Sequence, residues 1–98
     1  MSDQIRMSPE KMRARARETN RQAETVQSVI NTMDRLLATL KTEWEGDAMR
    51  GYEDRYNKIK PSFKNAKELL DEISHNLKET ARIVEDTDKN IGRQYKKG

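Results

Sequence analysis

Apolar residues recur along this chain at spacings that alternate between four and three. Met12, Ala16, Thr19, Ala23, Val26, Ile30, Met33, Leu37, Leu40 and Trp44 form one such run. Tyr52, Tyr56, Ile59, Phe63, Ala66, Leu70, Ile73, Leu77, Thr80 and Val84 form a second. A repeat of this kind keeps one side of an α-helix apolar, so the pattern predicts two long amphipathic helices. Val29 and Leu36 flank the first stripe, and Leu69 and Ile83 flank the second. They widen each face beyond the seam of a two-stranded coil, toward that of a helical bundle. At 1.5 Å rise per residue the first helix is expected to be roughly 50 Å long. No stretch alternates in the manner of a strand.

The boundaries follow from local chemistry. Ser8 is placed to cap the first helix, Pro9 has the fixed φ suited to its first position, and Glu10 complements the helix dipole. Met7 and Met12 are spaced for a hydrophobic staple, whereas Lys11 stands where a capping box would need Glu or Gln. Trp44-Glu45-Gly46 separates the two stripes: the aromatic ends one, and glycine supplies the positive φ that closes a helix. Asp47 is then expected to cap the next helix. Helix 1 is predicted over about 9–43, the turn over 44–47, helix 2 over about 48–88 and a polar tail over 89–98, all in one domain. Pro61 lies on the outer face of helix 2, where it is expected to bend that helix without breaking it.

With 98 residues, 38% charged and 33% hydrophobic, the chain is lean for a self-sufficient core. The fold class expected is all-α: an antiparallel helix-turn-helix hairpin that pairs with a second chain into a four-helix bundle. The core of that dimer is assigned to Val26, Ile30, Met33, Leu37, Leu40, Ile59, Phe63, Leu70, Ile73 and Leu77. Charge biases its orientation. Arg6, Lys11, Arg13, Arg15, Arg17 and Arg21 crowd the start and Lys89, Arg93, Lys96 and Lys97 the end, while Glu43, Glu45, Asp47, Glu53 and Asp54 surround the turn. Two copies packed antiparallel set each basic end against the other's acidic turn, which favours a homodimer.

Little in the sequence points to catalysis. There is no cysteine, and so no disulfide, thiolate ligand or cysteine nucleophile. Glu72 and His75 have the Glu-x-x-His spacing of a bundle metal site, but the heptad phase turns both outward, so no metal or other cofactor is expected. No glycine-rich phosphate loop is present. No apolar run reaches signal-peptide or transmembrane length, and stable membrane insertion is not expected. The alternative reading is a basic helical binder of nucleic acid or of an anionic membrane surface. It rests on the amino-terminal Arg cluster, but Glu18 and Glu24 interrupt that cluster and the net charge is only +3, so nucleic acid is not expected as a partner.

The length, the mid-chain Trp44-Glu45-Gly46, the Met7-Ser8-Pro9-Glu10 helix start and the two flanking helices together resemble the WXG family, the early-secreted-antigen-like substrates of type VII secretion. The resemblance spans the whole chain. It implies a small non-enzymatic protein, a substrate, effector or co-secretion adaptor, exported without a cleaved signal by a membrane-bound secretion ATPase. It further implies a dimer, with a second family member as the alternative to a second copy. In that family the turn of one subunit and the carboxy-terminal arm of its partner form the export signal together. The turn motif falls here on Trp44 and Gly46, and the arm's pattern of hydrophobic, acidic and hydrophobic positions on Val84, Asp88, Ile91 and Tyr95. A tyrosine followed four residues later by an acid, the better-known tail signal, is not matched.

Overall fold

The computed structural model describes residues 6–97, and side chains over residues 6–87. It contains two helices, α1 (Pro9–Glu43) and α2 (Asp47–Lys97), folded back on each other as a hairpin. The molecule is a rod with extents of 79 × 26 × 15 Å. The predicted start of α1 is formed: Ser8 is extended, its Oγ accepts the Lys11 N–H at 3.1 Å, and Pro9 opens the helix. Met7 and Met12, the two staple positions, line one cleft with Ile73 and Leu77 of α2.

Two boundaries differ from expectation. Helix α2 begins at Asp47, so Asp47 is its first residue and not its cap; Gly46 takes the cap position, and its carbonyl accepts the Arg50 N–H at 3.3 Å. At the other end α2 continues to Lys97 instead of stopping near 88. The polar run 85–90 does not end it. Residues 85–91 contain no proline or glycine, and Arg82 bonds Glu79 at 3.2 Å and Asp86 at 3.3 Å along the exposed side. Helix α2 also runs through Pro61, which is exposed, as the heptad phase predicts.

Within one chain the helices meet along a narrow seam. Met12, Ala16, Ala23 and Ile30 of α1 are buried against Met49, Tyr56, Ser74 and Ala81 of α2. Toward the open end the residues are small, so the backbones come close enough for Ser74 Oγ to donate to the Ala16 carbonyl at 2.9 Å. Nearer the turn the seam is polar at one level. The Tyr56 hydroxyl donates to Asp34 Oδ1 at 2.7 Å with the Ile30 carbonyl 3.2 Å away, and Lys60 Nζ donates to Asp34 Oδ2 at 3.0 Å. Ion pairs Arg13–Glu85 and Lys41–Glu53 bridge the helices toward the open end and the turn. Such exposed pairs are worth only ~0–1 kcal/mol each, but with the Tyr56 network they fix which turn of α1 faces which turn of α2.

That network makes stability depend on alkaline pH. Burial, then the hydrogen bond to Asp34, push the Tyr56 hydroxyl up to about 12 from 10.0, while the bonds from Tyr56 and Lys60 hold the Asp34 carboxyl below its ordinary value. The folded chain therefore keeps a phenolic proton that the unfolded chain loses first. The stabilisation is complete below pH 10 and is lost as pH rises toward 12. Tyr56→Phe is expected to cost about 1–3 kcal/mol at neutral pH, because it removes a buried hydroxyl's bonds, and to flatten the alkaline limb. Melting curves from pH 8 upward check both.

Candidate functional site

The backbone builds the turn. Trp44 closes α1 in an extended conformation, with its N–H bonded to the Leu40 carbonyl at 2.8 Å. Two residues later Gly46 has φ +148°, which L side chains rarely adopt, although a Cβ there would meet nothing within 4 Å. Glycine is thus required by backbone geometry and not by space, and it serves the entry to α2 instead of the exit from α1. The indole is 42% exposed and rests on the Tyr52 ring, with centroids 5.8 Å apart and planes at 59°. Such a tilted pair is worth about 0.5–1.5 kcal/mol, and it leaves much of the indole surface open beside Gly46. Trp44 is a presented side chain more than a core one.

The carboxy-terminal positions lie far from it. Val84 is half-buried near the open end of the hairpin. Asp88, Ile91 and Tyr95 follow on the last turns of α2, where side chains lie outside the described residues. One chain therefore does not bring Trp44 and Gly46 together with the Val84 to Tyr95 stretch, because the turn and the arm occupy opposite ends of a long rod.

The second feature is a face that the hairpin leaves uncovered. The broad apolar stripe divides in two: Ile30 is buried in the intrachain seam, and Val26, Met33, Leu37, Leu40, Phe63, Leu70 and Leu77 are half-buried, whereas Ile59 and Ile73 are exposed. Val29 and Leu36 on α1 and Tyr52, Leu69 and Ile83 on α2 are exposed as well. On α2 these residues fall in two adjacent heptad columns, one through 52, 59 and 73 and the other through 69 and 83. Solvent-facing large aliphatics in register over most of a helix mark an interaction surface.

Glu72 and His75 are both exposed, pointing away from the seam. In the basic cluster Arg13 pairs with Glu85, and Arg15 with Glu18 at 2.7 Å. No helix among the described residues is long and apolar enough to cross a membrane. Sequence reasoning missed Met49, Ser74, Ala81 and the Asp34–Tyr56–Lys60 network. Lys60, Ser74 and Ala81 share the heptad column Glu53, Lys60, Lys67, Ser74, Ala81, which hydrophobicity alone does not flag, whereas Met49 extends the column of Tyr56 and Phe63 by one heptad toward the turn.

The model of the family described as "Proteins of 100 residues with WXG", WXG100, matches residues 4–89. The chain is a member of the WXG100 family. Among its relatives, protein YukE of Bacillus subtilis is 32% identical over 96 residues, covering 98% of this chain and 99% of the relative. Type VII secretion system extracellular protein A of Staphylococcus aureus is 25% identical over 91 residues, covering 93% and 94%. Among solved structures, Geobacillus thermodenitrificans EsxA superposes with a TM-score of 0.85 at 35% identity, covering 93% of this chain and 98% of that one. The secreted protein EsxB of Bacillus anthracis shares the fold, with a TM-score of 0.78 at 24% identity over 89% and 99% of the two chains. The WXG100 hairpin here therefore carries the family's turn motif as an exposed tryptophan beside a positive-φ glycine.

Proposed function

We propose that this WXG100 protein is a small non-enzymatic substrate of a type VII secretion system, exported without a cleaved signal as an antiparallel homodimer. The observation that carries the reading is the apolar face left uncovered along a hairpin of this family. Its relative in Staphylococcus aureus is named an extracellular protein of that system. Each buried Leu, Ile or Val contributes ~1.5–3 kcal/mol, so a second hairpin on this face gives a four-helix bundle with a substantial driving force. Antiparallel packing also brings the turn of one chain to the carboxy-terminal arm of the other. Trp44 and Gly46 would then act with the partner's Asp88 and Tyr95 as one composite surface for the membrane-bound secretion ATPase.

The test separates folding from export. Asp88→Ala and Tyr95→Ala should leave the melting temperature within a few degrees of the native value, as a recognition role for these two positions requires. Secretion into the culture medium should fall by about thirtyfold or more, the loss expected when a recognition residue worth about 2 kcal/mol is removed. Trp44→Ala should lose export likewise, with a melting change limited to its contact with Tyr52. Normal export of all three variants would refute the composite surface. Equal loss of export and folding in Trp44→Ala would return that residue to a structural role.

A further inference from the structure

We infer that α2 packs antiparallel on α2 of the second copy in one definite register, with Lys58 and Arg55 of each chain set against the partner's Glu79. The inference rests on the homodimer proposed above and specifies its interface. A two-fold axis that reverses the rod must run across it between the two hairpins, and every helix then lies beside its own copy. The α2 surface available for that contact is the pair of uncovered columns, 52/59/66/73/80 and 55/62/69/76/83, which hold every exposed large apolar residue of this helix among the described side chains.

The register follows from where those residues begin and end. They run from Tyr52 to Ile83, so an axis near residues 67 and 68 covers the whole run on both chains. Tyr52 then faces the partner's Ile83, and the small Ala66 receives the partner's Leu69 at the axis. Any shift by a heptad would leave an apolar end in water on each chain.

Charge selects the same arrangement independently. The column bordering this face reads Gly51, Lys58, Asn65, Glu72, Glu79 and Asp86, basic toward the turn and acidic toward the open end. Arg55 lies within the face itself, in a cleft with Met33, Leu37, Tyr52, Ile59 and Phe63. Arg55, Lys58 and Glu72 are exposed and make no ion pair among the described residues, and Glu79 has only the surface contact to Arg82. In the antiparallel register Lys58 lies within about 3 Å of the level of the partner's Glu79, on the same side of the seam, and Arg55 approaches the same carboxylate. Two-fold symmetry repeats the set. Parallel packing, about a two-fold along the rod, would carry this column to opposite sides of the seam and leave Lys58 and Glu79 without each other. Flanking charges of this kind set partner choice and orientation in helical bundles.

The chain has no cysteine, so an introduced one is unique. Arg55→Cys and Thr80→Cys variants are treated with a bis-maleimide spanning roughly 10 Å, alone and after refolding as an equimolar mixture; identical cysteines would sit about 37 Å apart along the antiparallel seam. Cross-linked dimer in the mixture, with none from either variant alone, is the expected result. Cross-linking of either variant alone would overturn the antiparallel register. A dimer by light scattering with no cross-link in the mixture would overturn the register and leave the homodimer standing. A native chain that is monomeric would overturn both. Charge reversal gives a second readout: Lys58→Glu should weaken the dimer about tenfold at low salt, and adding Glu79→Lys should restore it, with both effects shrinking as salt rises. Absence of rescue by the double variant would remove the ion-pair assignment.

Discussion

Ile30→Asp is expected to abolish the cooperative fold at 25 °C, with the helical circular-dichroism signal reduced to that of a largely unfolded chain. Ile30 is 2% exposed and is one of the two largest fully buried side chains of the hairpin. Truncating such a residue to alanine costs about 2–5 kcal/mol, and an unpaired carboxylate in its place adds the cost of burying a charge. Asp34 sits one turn on and already accepts from Tyr56 and Lys60, so the new acid also faces a like charge at i, i+4. A chain of this size has about 5–15 kcal/mol of stability in all. Ile30→Val, which keeps the site apolar, should cost only about 0.5–1.5 kcal/mol. A cooperative melt of Ile30→Asp near the native temperature would show that the seam is not the core.

The helices were legible in the sequence because a heptad repeat is a direct consequence of helical geometry, and the Ser8-Pro9 start because capping is local. What periodicity could not do was divide the broad stripe between two interfaces. Phe63 and Ile73 follow the same repeat, yet one is half-buried in the hairpin and the other is exposed. Ser74 and Ala81 went unseen for a related reason. A close helix approach selects small side chains, and Lys60 and Asp34 enter the seam through hydrogen bonds that a hydrophobic count scores as solvent. The end of α2 does not follow from polarity, because a run of polar residues such as 85–90 continues a helix with little loss of propensity.

The candidate site was legible to a different degree. The positive φ of Gly46 could be anticipated from residue type, but its role as entry to α2 and not exit from α1 depended on where the Trp44 N–H finds its partner. That Trp44 is presented to solvent follows only from the tertiary turn, since the heptad repeat counts it as one more core position. The separation of turn and arm within a chain follows from hairpin topology alone, and it makes assembly a precondition of any site that uses both.

Leu69→Asp should therefore act on assembly more than on the hairpin. Leu69 is 56% exposed within one chain, so the substitution removes no intrachain core contact, and exposed Asp costs a mid-helix position less than about 0.7 kcal/mol in propensity. In the dimer the same residue lies beside the two-fold axis, where each copy would lose a buried leucine worth about 1.5–3 kcal/mol and bring its new carboxylate near the other. Counting both chains, the loss is at least about 3 kcal/mol, more than a hundredfold in dissociation constant. Light scattering should then report a single chain of 11.5 kDa at concentrations where the native protein is a dimer. The helical signal should fall less than that of Ile30→Asp. His75→Asp, a charge change on the outward side of the same helix, should leave the mass unaltered. If Leu69→Asp stayed dimeric, the exposed columns of α2 would not be the interface, and the apolar residues there would need another partner. If it unfolded as completely as Ile30→Asp, hairpin and dimer would form one cooperative unit, with no folded monomer to be isolated.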